Sequence, residues 1–471
     1  VINADQADTD SDHLGDACDP LPADGNTLYT QNGNVKAENF GSAVAYVGDF
    51  NGDHYGDWAV GTPRYNISAA PPLKVVKNAG QVKIISGNSG EVLAHVECTV
   101  AGDSFGAALA GNADVNNDGF MDVVVGTPKA DDPLDKKRKN VGAITVIYGC
   151  AGVDCSTSIT RLGTTSKTGF GTAVALGDVD NDGKADVVVG EPKATNDQGE
   201  KPLKQAGKVT VLSGANLAAA PLLTVYGNTA GALAGSAVAA GDFNGAGGAE
   251  VVVGAPKDDR PAAFPFKPIK DTGSVRVYTN GSTTPFCTQY GVAKDAFGQA
   301  LAANADINND GRKDIAVGVP GADFGRGSVE ILVGSYVIRD GICGYGGTRG
   351  SSIGNIGTAV ALGDVNGDGY ADIIVSSPKG DNFTDFANPI RGVGNIEVIY
   401  SDSNPLETMG VDHVFGATTK GDAFGAGLGV GDINADGKAD ILIGIPGKDV
   451  MVSGKTQKDA GGVEVLNATA L

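Results

Sequence analysis

The chain has 471 residues, 41% of them hydrophobic, with 72 glycines, 6% aromatics and a net charge of −21. That hydrophobic fraction argues against disorder and provides for a large core. The charge disfavours nucleic acid as a partner and favours cations, and no apolar run approaches the roughly 18 residues needed for membrane insertion.

In chain order, the opening "VINADQADTD" lacks the pattern of a signal peptide, so the chain reads as a processed or excised soluble segment. Residues 3–20, "NADQADTDSDHLGDACDP", form an acidic stretch, and "NTLYTQNG" (26–33) is a strand-like piece attached to no unit. One text then recurs seven times: "GDFNGDHYGDWAVGTP" (48–63), "ADVNNDGFMDVVVGTP" (113–128), "GDVDNDGKADVVVGEP" (177–192), "GDFNGAGGAEVVVGAP" (241–256), "ADINNDGRKDIAVGVP" (305–320), "GDVNGDGYADIIVSSP" (363–378) and "GDINADGKADILIGIP" (431–446). The leading aspartates are 58 to 68 residues apart, so the whole chain is built of one repeating unit. Each unit reads as four short strands joined by tight turns. In the third these are 170–178, 185–192, 207–214 and 221–227. No stretch keeps a helical period.

Four strands per unit and seven units predict an all-β fold, a seven-bladed β-propeller of four-stranded blades. The alternative is an elongated array of separate β-domains. The chain ends argue against it: the last unit stops after its third strand (461–471), and the piece at 26–33 would supply the missing fourth and remove an open edge. Ring closure by this N-terminal strand is therefore expected.

Phe40-Gly41, Phe105-Gly106, Phe170-Gly171, Phe297-Gly298 and Phe424-Gly425, with a G-x-P closing most copies, resemble the FG-GAP repeat. That repeat builds the seven-bladed propeller of integrin α chains and of related secreted proteins. The resemblance runs over residues 26–471 and departs at Ala234-Gly235, Ile356-Gly357 and Ser376-Ser377-Pro378. It implies an extracellular, secreted or cell-surface module. The start resembles one thrombospondin type 3 calcium repeat. Asp8, Asp10, Asp12, Asp16 and Asp19 fall at its positions 1, 3, 5, 9 and 12, with His13 where Gly is usual. The competing reading is a disordered acidic linker. The expected division is 1–22 as this calcium-binding segment and 23–471 as the propeller.

The recurring loop offers side-chain oxygens at positions 1, 3, 5 and 9 and a carbonyl at 7. Calcium takes six to eight hard oxygens at about 2.3–2.6 Å, whereas magnesium prefers a rigid octahedron and keeps its waters. In the third copy the ligands are Asp178, Asp180, Asp182, Asp186 and the carbonyl of Lys184, with Gly183 permitting the left-handed turn. Position 12 is Val189, inside a strand, where an EF-hand needs Glu. The loop is therefore a calcium loop between two strands, as in integrin-type repeats. The other sets are Asp49, Asn51, Asp53 and Asp57; Asp114, Asn116, Asp118 and Asp122; Asp306, Asn308, Asp310 and Asp314; Asp364, Asn366, Asp368 and Asp372; and Asp432, Asn434, Asp436 and Asp440. His54 replaces the turn glycine in the first. The fourth copy reads Asp242, Asn244, Ala246 and Glu250, and the loss of its central carboxylate weakens or abolishes that site. Six Ca2+ ions would take the net charge from −21 to −9.

The acid loops join first to second strands and lie on one face. The loops joining second to third strands lie on the opposite face: 64–80, 129–140, 193–206, 257–272, 321–326, 379–393 and 447–460. They hold 21 of the 35 Lys and Arg against 13 acids, with "DKKRKN" (135–140) the densest cluster. Loops on a rigid scaffold are the usual place for recognition, and in integrin-like propellers the corresponding face contacts ligands. For any single loop the plainer reading is solubilisation. Phe264 and Phe266 in "AAFPFKP" either anchor a partner or pack under their own loop, and Trp58 reads as core.

Catalysis has little support: the four histidines form no HExxH, and no G-x-S-x-G or phosphate loop occurs. The expectation is a non-enzymatic, calcium-stabilised adhesion module binding a protein or glycan through its basic face. Two alternatives are a structural subunit assembling head to tail with copies of itself, and a propeller-type polysaccharide-degrading enzyme. Cys150 and Cys155 are close enough for a disulfide, while the pairing of Cys18, Cys98, Cys287 and Cys343 is open. Asn66, Asn280, Asn382 and Asn467 begin glycosylation sequons.

Overall fold

The computed structural model describes residues 27–67, 75–152, 155–262, 266–334, 343–350, 356–381, 390–402, 413–417 and 419–468. The acidic stretch with Asp8, Asp10, Asp12, Asp16 and Asp19 lies outside the described residues, as do Cys18, Phe264 and Asn382.

Strong Val/Ile runs flanked by glycine become strands, and seven antiparallel four-stranded sheets follow one another along the chain. In blade 3 the strands are Ala173–Gly177, Asp186–Glu191, Lys208–Leu212 and Leu223–Tyr226, in that order across the sheet. Blade 7 combines Gly427–Gly431, Asp440–Ile445 and Gly462–Leu466 with Thr27–Asn32 at its outer edge. Thr27–Asn32 pairs antiparallel with Gly462–Leu466, Thr30 opposite Glu464. First strands lie against one another around the ring, the seventh against the first. The fold is thus an all-β seven-bladed propeller, and the one α-helical turn among the described residues, Ala322–Gly325, is irregular, with Asp323 and Phe324 left-handed.

The second strand of each blade is buried at every residue, as in Asp57–Thr62, Asp122–Thr127 and Asp440–Ile445. It is covered by neighbouring blades on both faces, which is why it reads as continuous apolar text rather than alternation. First strands carry small residues, as in "AVALG" and "AVAAG", because seven of them crowd around one axis. They leave a central channel of about 230 Å³.

The FG motif is the seam between blades. Its Phe pairs by a parallel bridge with the glycine before the previous blade's third strand: Gly80 with Phe105, Gly273 with Phe297, Gly394 with Phe424. The rings are buried, and Ala234 and Ile356 fill the same place in blades 4 and 6. The motif's Gly sets its carbonyl against the G-x-P glycine of the previous blade. A Cβ on Gly61 would stand 2.1 Å from the Gly106 carbonyl oxygen, and one on Gly126 2.2 Å from that of Gly171. No side chain fits at these two positions, whereas blade 6 carries the small Ser376 at the equivalent place, against Gly425.

Cys150–Cys155 is a disulfide, and Cys287–Cys343 is a second that ties blade 4 to blade 5. Cys98 is unpaired among the described residues. Trp58 is fully buried beside Tyr29, as a core residue should be. Asn467 is buried, so it is not available as a glycosylation acceptor. No described helix is long and apolar enough to cross a membrane.

Candidate metal centres

Each acid loop is a tight turn wound around its first aspartate. In the second, Asp114 Oδ1 accepts the N–H of Asn117 and Asp118, and Oδ2 accepts that of Gly119. Asp118 Oδ1 accepts the N–H of Phe120, and Asn116 Nδ2 donates to Asp118 Oδ2 at 2.8 Å. The same Asn-to-Asp amide bond recurs from Asn51, Asn308, Asn366 and Asn434. In these loops an amide offsets part of the charge that crowded carboxylates would otherwise leave unopposed.

The third loop has Asp180 where the others have Asn, and a carboxylate cannot donate. Asp180 Oδ1 is buried with no hydrogen-bond partner. Burial raises the pKa of Asp180, and the neighbouring Asp182 and Asp178 raise it further. Oxygens of Asp178, Asp180 and Asp186 lie within 4.8 Å of one another. This is the one such acidic group among the described residues, and its donors are all hard oxygens.

Position 9 behaves differently from the rest of the loop. Asp57, Asp122, Asp186, Asp314, Asp372 and Asp440 are fully buried. One oxygen of each accepts the backbone N–H at position 2, as Asp122 does from Val115 at 2.8 Å. The other accepts an N–H just beyond the third strand, from Gly87, Gly149, Gly214, Gly334, Ser401 or Ala468. Burial pushes the carboxyls of Asp57 and Asp440 up to about 7 and the other four up to about 6, against the lowering effect of these N–H groups. The position 9 carboxylate therefore clamps the loop to the third strand as well as facing it. Sequence reading assigned it only as a ligand; the available signal was the small residue that recurs after each third strand.

Two loops depart from the pattern. His54 holds a left-handed φ of 72° where other copies have glycine, a conformation costing roughly 1 kcal/mol or more in a residue with a side chain. In the fourth loop Ala246 supplies no carboxylate. Glu250 takes the N–H of Phe243 and Asn244, and Asn244 Nδ2 donates to its other oxygen. Burial pushes Glu250 up to about 7. This loop closes on itself through its own amide and its longer acid. Lys184 donates its N–H to Asp182 Oδ1 in the third loop, at the carbonyl position named from the sequence.

The class defined by these features is a seven-bladed all-β propeller with one recurring motif at each seam between blades. The FG-GAP repeat family matches residues 105–147, 170–212, 297–332, 356–390 and 424–466, that is blades 2, 3, 5, 6 and 7. Curated relatives include integrin alpha pat-2 of Caenorhabditis briggsae, 32% identical over 239 residues, which covers 45% of this chain and 18% of the relative. Integrin alpha-5 of Xenopus laevis is 30% identical over 228 residues, covering 44% and 20%. Integrin alpha-3 of Cricetulus griseus is 37% identical over 106 residues, covering 21% and 9%. The matches thus span a fifth or less of the relatives' length. Together, repeats and relatives support an integrin-like FG-GAP β-propeller.

Proposed function

We propose that this chain is a calcium-stabilised extracellular recognition module, non-enzymatic, that binds a protein or glycan through the loop face opposite its acid loops. The observation that carries the reading is the acid loop present with its oxygens in six of seven blades, with an orphaned buried oxygen on Asp180. In the third loop the residues fit the ion, with three converging carboxylates and one unpartnered oxygen. Positions 1, 3, 5 and 9 of the loops in blades 1, 2, 3, 5, 6 and 7 would hold it, with the carbonyl of Lys184 or its counterpart. Calcium would supply positive charge at the point where the carboxylates converge. Two disulfides agree with an oxidising, extracellular setting. The basic loops give the opposite face a charge suited to acidic ligands. Residues 1–22 are proposed as a separate calcium-binding segment, bound through Asp8, Asp10, Asp12, Asp16 and Asp19.

The test is calorimetric titration of calcium into chelated protein, with thermal melts alongside. Binding to the native state alone stabilises by about 2.7 kcal/mol per site at 100 times Kd. The propeller should take about six ions, with further ones for residues 1–22, and calcium should raise the melting temperature more than magnesium. No heat and an unchanged melt would overturn the calcium reading. Adhesion of immobilised protein to extracellular matrix fractions, compared with a charge-reversed loop face, tests the recognition reading separately.

A further inference from the structure

The adjoining loops of blades 4 and 5 present large apolar side chains to water that the core does not need. Phe266 is 76% exposed, Val292 69%, and Phe324 fully exposed at 106%, with Ile269 beside Phe266 in sequence and also exposed. Monomeric proteins seldom gather such side chains without use.

These residues belong to one surface. Phe266 and Ile269 stand on the loop between the second and third strands of blade 4, and Phe324 on the same loop of blade 5. Val292 lies on the connection between the two blades. That connection is bonded to both loops: Lys294 donates its N–H to the Asp271 carbonyl at 2.7 Å, and Gly321 donates its N–H to the Asp295 carbonyl at 2.9 Å. The display is also held in place. Asp323 and Phe324 are consecutive left-handed residues with φ of 46° and 58°. That backbone is unfavourable for both, and the turn is closed by the N–H of Arg326 on the Asp323 carbonyl and that of Gly327 on the Ala322 carbonyl. Phe266 is bracketed by Pro265 and Pro268, and proline lowers the ordering cost of binding.

The charge around them is positive on balance: four unpaired cations stand against two acids without an ion pair among the described residues, exposed Asp271 and half-buried Asp295. Lys257, Arg260, Lys267 and Lys294 are exposed and make no ion pair among the described residues. Lys270 is paired with Asp259 and Arg326 with Asp323. Asp258 is buried against Arg276, so its charge does not reach the surface.

We propose that this surface, Phe266, Ile269, Val292 and Phe324 ringed by Lys257, Arg260, Lys267 and Lys294, docks an acidic protein segment that carries apolar side chains. The proposal rests on the recognition reading above and gives it a location and a partner chemistry. The aromatics act as buried anchors on binding, and the cations select against basic partners.

The test uses the whole chain in calcium and fluorescence anisotropy of a labelled 14-residue peptide of Asp and Glu with three spaced Leu or Phe side chains. One control peptide replaces the acids by Lys, another the apolar residues by Ser. The acidic apolar peptide should bind at least tenfold more tightly than either control and weaken with salt. F266A/F324A should weaken it at least tenfold with an unchanged melting temperature, and I159A on a distant strand should not. If F266A/F324A binds like wild type, the proposal fails. If binding survives it but is lost in K136E/K137E on the loop of blade 2, the surface lies elsewhere on that face, and the recognition reading stands without this proposal. Equal binding of all three peptides, or of none, also overturns it.

Discussion

The position 9 carboxylate has a structural role that can be separated from the ion binding proposed for its loop. Asp122 satisfies two buried N–H groups, those of Val115 and Gly149. A buried donor left without a partner costs about 1–3 kcal/mol. D122A should therefore lose about 2–6 kcal/mol in urea denaturation even with chelator present. D118A, whose side chain is exposed, should stay within about 0.5 kcal/mol in chelator and lose only the stabilisation that calcium adds. Glu330 gives a pH dependence away from the loops. Burial, and then the charge of Asp295, push its carboxyl up to about 7 from an ordinary 4.5. The folded state thus holds that proton more tightly than the unfolded chain. Its contribution is greatest at pH below about 4.5 and is lost as pH rises towards about 7. E330Q should match wild type in melting temperature near pH 4.5 and exceed it at pH 8. An identical pH profile would mean that the group titrates normally.

At the level of single elements, the fourth loop and the N-terminal strand make the clearest predictions. The fourth loop closes through Glu250 and Asn244 without a central carboxylate. A246D/E250D restores the spacing of the other copies, so it should add one ion to the calorimetric stoichiometry. The N-terminal strand covers the edge of Gly462–Leu466. Removing residues 1–32 would leave that edge open for pairing with other chains. The truncated protein should melt earlier and sediment as larger species; a monomer of unchanged stability would show that the pairing contributes nothing. The acid loop was readable in the sequence because its chemistry is local: alternate oxygens and a turn glycine are consecutive letters. The clamp on the third strand was not, because Asp122 and Gly149 are 27 residues apart and meet only once the sheet has formed.

Over the whole molecule, the proposed ions would add stability to a ring that packing already holds together. Blades are joined by buried second strands and by carbonyl contacts at the FG glycines. None of these needs a cation. Chelated protein should therefore keep its β circular dichroism and melt at a lower temperature. Loss of all β signal in chelator would show instead that the ions hold the ring together.

The sequence by itself determined the period, the four strands of each unit, the oxygen-rich loops and the odd fourth copy. Each follows from the order of neighbouring residues, which backbone geometry turns into strand and turn. It also set the first-to-second and second-to-third connections at opposite ends of each sheet, since strands alternate in direction. Only the tertiary structure decided why FG and G-x-P recur, because their glycines face each other across two blades. It alone paired Cys287 with Cys343 and buried Asn467. It also gathered Phe266, Val292 and Phe324 on adjoining loops. Those residues are up to 58 positions apart. Their proximity is set by how one blade packs on the next, which no local pattern records.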